Sequence, residues 1–351
     1  MAYGKKSAGE SKGLQKLKQD LSAGTLGGAY IFYGEESYLR EYYLEQVRKK
    51  LVPDGFEAFN YHRVEGKDVD VQALAEMAEA MPMMAERTLV AAVDLDLFKL
   101  SEGEREKLIA LLEDIPPYCC MVFVYDTVEY KPNRTMKKLC GAIGAHVETV
   151  EFRPVDSRDL ESWIARRFRA LGKDIDRRTA EQLIFTCGGL MTGLVPEIAK
   201  IAAYAKGPSV TQRDIDAVAT PVLSAEVFRL ADAVLQGQFG QAASILENLL
   251  KMQTEPIAIL ASLGWQLRRI YTARLAIDGG RDKYWLMELW GMDSDFQANR
   301  LLTAARRGTA KWCADAVRMC QTLDRRMKSE TGIDPAGELK LLLVRLEAAR
   351  R

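Results

Sequence analysis

What most constrains the fold of this chain is a change of period part-way along it. Up to about residue 150, short apolar runs alternate with helical patterns; beyond Arg153-Pro154 only helical patterns remain. The runs Ala29–Gly34 (AYIFYG), Asn60–Val64, Thr88–Leu95 (TLVAAVDL), Cys119–Tyr125 (CCMVFVY) and His146–Val150 read as strands. Between them, Leu39, Tyr43, Val47 and Leu51 recur every four residues on one helical stripe. Leu74, Met77, Ala78 and Met81 follow the i, i+3, i+4, i+7 spacing of another. Alternation of strand and helix repeated five times predicts a parallel sheet with helices on both faces.

Past Pro154, the segments Ser157–Leu171, Thr179–Cys187, Gly193–Ala205 and Thr211–Ala219 read as short helices, punctuated by Gly172, Gly188-Gly189 and Gly207-Pro208. Longer amphipathic helices follow Thr220-Pro221: Ser224–Leu235, Phe239–Met252, Glu255–Ile277, Asp293–Arg307, Thr309–Lys328 and Ala336–Ala349. The predicted layout is an α/β domain over 1–152, a small all-α domain over 153–220 and an all-α bundle over 221–351. A chain of 351 residues accommodates that many separate cores.

Charge narrows the function classes. The 49 Lys and Arg balance 49 Asp and Glu, which excludes a uniformly basic nucleic-acid coat and a polyacidic tail. Local basic clusters remain: Arg268-Arg269 with Arg274, Arg306-Arg307 with Lys311, and Arg325-Arg326 with Lys328. These read either as local positive potential for DNA or as solvated helix faces and salt bridges. Trp265, Trp285, Trp290 and Trp312 sit in amphipathic patterns and read as core or as an oligomer interface. The longest charge-free run, Gln182 to Pro196, falls short of the ~18–20 apolar residues of a membrane span. The N-terminal lysines precede no apolar stretch, so no secretory signal is read there. Six cysteines show neither CxxC nor metal-ligand spacing, which predicts buried free thiols and a cytoplasmic protein.

No catalytic constellation stands out. A phosphate-binding loop belongs at the first βα turn, where this chain has Gly34-Glu35-Glu36-Ser37. A working loop needs GxxxxGK[ST], so that backbone amides approach the phosphates and a Lys neutralises them. Carboxylates at Glu35 and Glu36 suit a helix dipole but repel a triphosphate. The pairs Gly4-Lys5, Gly66-Lys67 and Gly172-Lys173 lack the following Ser or Thr. The strand end Val93-Asp94-Leu95 lacks an Asp-Glu pair for magnesium, and Asp94 and Asp96 read as strand-end caps. His62 and His146 have no partner motif and read as structural. No catalytic residue, metal or cofactor is expected.

One loop breaks the usual polarity. Pro82-Met83-Met84-Ala85-Glu86-Arg87 connects a helix to a strand, where connections normally present polar side chains. Two adjacent methionines cannot easily both turn inward. They either enter a partner's pocket, for which Met is well suited, or roof the sheet's edge.

The segments Tyr30–Leu39 (YIFYGEESYL) and Ala80–Leu89 (AMPMMAERTL), Gly188-Gly189 followed by Glu197 and Lys200, and Lys328–Leu342 (KSETGIDPAGELKLL) carry a resemblance. In order and spacing, over about residues 25 to 350, they resemble the delta-subunit family of the bacterial DNA polymerase III clamp loader. The resemblance implies an AAA+-like (RecA-type) α/β domain, a three-helix lid and a helical collar that packs into a hetero-pentamer. It implies a subunit that neither binds nor hydrolyses ATP, in keeping with the Gly34–Ser37 turn. Its partners would be the sliding clamp (beta subunit), the ATPase subunits (gamma/tau), delta-prime and, through the assembled complex, primer-template DNA. The family's clamp-gripping apolar pair, often Leu-Phe or two Phe, falls on Met83 and Met84, a softer variant. Arg87 matches a recurrent Arg that either touches the clamp or positions the loop. The competing readings are a divergent AAA+ ATPase, testable by nucleotide binding, and a helical DNA-binding adaptor, testable by salt-dependent DNA binding.

Overall fold

The alternating half of the chain folds as a five-stranded, wholly parallel sheet in the order β2-β3-β4-β1-β5. The structure is a computed structural model that describes residues 10–66, 69–292 and 294–350. The Gly4-Lys5 pair, Lys67 and Asp293 therefore lie outside the described residues. The described residues form two compact units: 10–155 with 190–192, and 156–189 with 193–350.

In the first unit the elements run α1 (Lys12–Ala23), β1 (Gly28–Tyr33), α2 (Ser37–Leu51), α3 (Glu57–Asn60), β2 (Tyr61–Glu65), α4 (Val71–Glu79) and β3 (Thr88–Val93). They continue with α5 (Glu102–Glu113), β4 (Cys119–Val124), α6 (Lys137–His146) and β5 (Val147–Glu151). Central strands β3 and β4 are buried at every residue, as continuous apolar runs require when helices cover both faces. Edge strands β2 and β5 carry charged residues and are only partly buried. Alternate residues of the central strands feed two cores. Ile31, Val90, Met121 and Phe123 meet Leu74, Leu108 and Ile143 on one face. Phe32, Leu89, Ala91 and Val122 meet Leu17, Leu44 and Val47 on the other.

The helical stripes differ from their sequence pattern. On α2 the fully buried positions are Arg40, Leu44 and Val47, while Leu39, Tyr43 and Leu51 pack at the margin. A strict four-residue spacing drifts around a helix of 3.6 residues per turn, so the buried stripe is displaced from it. Met81 does not belong to the α4 stripe: the helix ends at Glu79 and Met81 is exposed. His146 ends α6 and does not open a strand. Helix α1 is not among the elements expected from the sequence. Its Ser11 cap accepts from the Leu14 N–H, and the same hydroxyl donates to the Glu151 carbonyl at 2.8 Å, tying the helix to β5.

The second unit is helical, with one addition. Helices α7 (Ser157–Ala170), α8 (Arg177–Cys187), α9 (Met191–Tyr204) and α10 (Gln212–Val218) are joined by two-residue parallel strands β6 (Asp174–Ile175) and β7 (Ser209–Val210), which the sequence pattern does not show. Then come α11 (Leu223–Gln236), α12 (Phe239–Lys251), α13 (Pro256–Asp278), α14 (Lys283–Trp290), α15 (Asp295–Ala305), α16 (Ala310–Ser329) and α17 (Pro335–Ala348). The 23-residue α13 is the axis of this bundle, packing against α11, α15, α16 and α17. Among the described residues no single helix is long and apolar enough to cross a membrane. All six cysteines are free thiols; Cys140 is half-buried and the other five are buried.

Candidate functional site

The loop between α4 and β3 presents its apolar residues outward. Met83 is 48% exposed and Met84 76% exposed, so neither roofs the sheet. Met84 is one of three non-glycine residues with positive φ among the described residues, at 54°, a conformation that costs a side chain about 1–2 kcal/mol. Three contacts hold the loop in place. Before it, the Tyr118 hydroxyl donates to the Glu79 carbonyl at 3.0 Å. After it, the Arg87 guanidinium donates to the Leu26 carbonyl, so Arg87 turns towards the entrance of β1 and anchors the loop. In the middle, Asn60 Nδ2 donates to the Met83 carbonyl and Asn60 Oδ1 accepts the Met83 N–H, both at 2.8 Å.

The sequence pattern puts Asn60 at the start of a strand. It is instead the last residue of the one-turn helix α3, and it is fully buried. Asn is depleted in strands and favours bonds to nearby backbone, but nothing in the sequence names Met83 as its partner. The neighbouring Phe59 is exposed, a feature that its sequence context does not reveal.

At the first βα turn the two glutamates part company. Glu35 is exposed, whereas Glu36 is fully buried. Gly34 has φ 122°, and a Cβ there would lie 2.3 Å from the Phe152 carbonyl oxygen, so only glycine fits. Glu36 Oε2 accepts the Met191 N–H at 3.0 Å, and the Ser37 hydroxyl pairs with the Thr192 hydroxyl at 2.7 Å. Burial pushes the Glu36 carboxyl above its ordinary pKa, and the hydrogen bonds from Met191 and Thr192 only partly oppose it. The buried Arg40 guanidinium donates to the Gly34 carbonyl at 2.8 Å and also pairs with Asp126. The turn is thus filled by the chain's own carboxylate and guanidinium. Glu36 stands at the N-cap of α2, where the sequence pattern places it, but its side chain makes no cap bond there and reaches the start of α9.

The remaining candidates are structural. Asp94 accepts the N–H groups of Asp126, Thr127 and Val128 and the Thr127 hydroxyl, capping the end of β4 as expected of a strand-end Asp. Burial would raise its pKa, but these bonds outweigh that and hold it below the ordinary value. The reading of both histidines as satisfied structural groups is corrected: His62 Nε2 is buried with no hydrogen-bond partner among the described residues, and His146 is exposed. Among the described residues no three His, Cys, Asp or Glu side chains converge as metal ligands.

Two family models match the chain: that of the DNA polymerase III delta subunit over residues 30–145, and that of the C-terminal domain of the same subunit over residues 224–346. The chain belongs to the DNA polymerase III delta-subunit family. The DNA polymerase III subunit delta of Bacillus subtilis is 25% identical over 272 residues, covering 75% of this chain and 77% of the relative. A probable DNA polymerase III subunit delta of Aquifex aeolicus is 22% identical over 76% of each chain. Among solved structures, the Bacillus subtilis clamp loader delta protein aligns over 95% of this chain and 99% of its own, with 20% identity and a TM-score of 0.49. As a member of this family, the chain is a non-catalytic component of a polymerase holoenzyme and works in a complex with clamp-loader subunits and the sliding clamp.

The delta-family motifs acquire physical reasons. Glu197 pairs with Lys200 at 2.8 Å, and both reach Thr220: the carboxylate accepts its N–H at 3.0 Å, and the ammonium donates to its hydroxyl at 2.9 Å. That triad fastens α9 to the turn before α11. In the C-terminal motif, Asp334 caps α17, and Glu338 takes two parallel bonds from Arg326 at 3.0 and 3.1 Å. Each basic cluster gives at least one residue to an ion pair: Arg274 with Asp278, Arg307 with Asp232, and Lys328 with Asp324. Trp312 is core, whereas Trp265 is exposed and stacks under Arg269, whose pKa burial lowers to about 10.

Proposed function

We propose that this protein grips the sliding clamp with Met83 and Met84 and holds one interface of the ring open while it is loaded onto primer-template DNA. The observation that carries the reading is two adjacent methionines standing exposed on a loop that is pinned before, within and after them. Burying two such side chains in a partner pocket supplies ~3–6 kcal/mol. The protein need only bind the open clamp more tightly than the closed one, since equal affinity shifts no population. Arg87 serves the loop from behind.

Nucleotide chemistry falls to the ATPase subunits, gamma/tau, which with delta-prime and this chain make the hetero-pentamer. The carboxylate of Glu36 supports that division, because an anionic phosphate entering the Gly34–Ser37 turn would meet a buried acid. Residues 1–152 form the clamp-contacting domain, 153–220 the lid and 221–351 the collar. The complex acts in the bacterial cytoplasm, at the nucleoid during replication. The test is clamp binding by the full chain with Met83→Ala and Met84→Ala combined. A folded double variant that binds the clamp as well as the parent rules the reading out.

A further inference from the structure

The best-defined geometry near the methionines is not on their own loop. Asn60 closes α3, one residue ahead of β2, whose pairing with β3 begins at Tyr61 and Leu89. Its carboxamide spans to the segment preceding β3 and bonds both polar groups of one residue, Met83, at 2.8 Å each way. The reciprocal pattern fixes the orientation of the amide, because a flipped carboxamide would set donor against donor. Its second amide hydrogen goes to the Phe56 carbonyl at 3.2 Å, so both amide hydrogens and the oxygen are used. The side chain bridges from the end of α3 to the loop five residues before β3, outside the β2–β3 ladder itself. Met83 is thereby fixed, and the next residue, Met84, is delivered into its left-handed conformation at the tip.

Resting on the clamp-gripping reading above, we propose that Asn60 is a positioning residue for clamp capture. Its carboxamide holds the Met83 backbone so that both methionines are presented together before the clamp arrives. An unlatched loop would have to be ordered during binding, and that ordering is subtracted from affinity. Asn60 is fully buried and needs no contact with the clamp itself.

The test uses the full-length protein, the purified sliding clamp and amide hydrogen exchange of the free protein. Asn60→Ala removes both bonds to Met83, so the loop must be ordered during binding and clamp affinity should weaken on the order of tenfold. The Met83 amide should lose protection, while amides of β3 and β4 keep theirs. Asn60→Asp, which retains the acceptor for the Met83 N–H, should fall between Ala and the parent in Met83 protection. A cycle with Met84→Ala separates positioning from general damage: Asn60→Ala should cost distinctly less once Met84 is truncated. Equal costs in both backgrounds, or unchanged Met83 exchange in Asn60→Ala, would overturn the inference. If truncating both methionines leaves clamp binding intact, the clamp-gripping reading itself fails, a result distinct from failure of the latch alone.

Discussion

Glu36 and Met191 lie 155 positions apart in the chain and meet through a single hydrogen bond, the Met191 N–H donating to Glu36 Oε2 at 3.0 Å. The carboxylate is fully buried, and its Oε1 has no hydrogen-bond partner among the described residues. The place where a relative with a working loop would seat phosphate thus carries a desolvated acid of its own.

That acid dictates a pH dependence. Because burial raises the folded-state pKa of Glu36, the folded protein holds a proton more tightly than the unfolded chain. The stability this contributes is fully present below the unfolded value and is lost as pH rises through the folded one. Glu36→Gln keeps an acceptor for Met191 and removes the charge. It should raise the unfolding midpoint at pH 8 relative to the parent, with the gain shrinking towards pH 4. A parent more stable than the variant at pH 8 would contradict the account.

Glu197 should behave in the opposite sense. Burial alone would raise its pKa, but the bonds from Lys200 and Thr220 outweigh that and hold it below the ordinary value. Its contribution is present above the unfolded pKa and lost as pH falls through the folded one. Glu197→Gln is expected to cost ~1 kcal/mol at pH 7, discounted for the exposed Lys200, and close to nothing once acid has protonated the parent. Urea titrations at the two pH values decide it.

The methionine pair should matter for binding and not for folding. Truncating both exposed side chains is expected to weaken clamp affinity by a hundredfold or more, at ~1.5–3 kcal/mol each. Thermal stability should stay within ~0.5 kcal/mol of the parent, as for other surface substitutions. Calorimetric titration against the clamp, paired with a melting curve, reads both quantities from one preparation.

Two glycines offer a test of close packing against propensity. Inside a helix such as α1, Ala is normally preferred to Gly by ~1 kcal/mol. At Gly13, however, a Cβ would lie 2.0 Å from the Thr149 carbonyl oxygen, so Gly13→Ala should destabilise by pushing α1 off β5. Gly34→Ala combines the positive φ with the Phe152 contact and should cost ~2 kcal/mol or more. A stabilised Gly13→Ala protein would show that α1 is not docked as described.

Much of the architecture is legible in the sequence because it rests on local period. A short run such as CCMVFVY, apolar throughout, suits a central strand between helical layers, and the switch to helical spacing after Pro154 marks where the sheet ends. The Met83-Met84 pair stands out by violating loop polarity. Helix α1 is missed, although Leu14, Leu17 and Leu21 repeat along it at helical spacing, and so is the eight-residue α14; the two-residue strands β6 and β7 are too short to show alternation.

The sequence alone determined the sheet's membership, the helical second half and the oddity of two adjacent loop methionines. Tertiary structure alone decided which way each polar group faces. Glu36 turns inward while Glu35 stays in water, Arg40 replaces an expected apolar neighbour in the core, and Asn60 reaches 23 residues along the chain to hold Met83. The reason is physical: an apolar side chain gains by burial almost anywhere, so its pattern along the chain predicts its fate. A buried polar group is tolerable only where partners at defined distance and angle exist, and those partners come from segments far away in the chain.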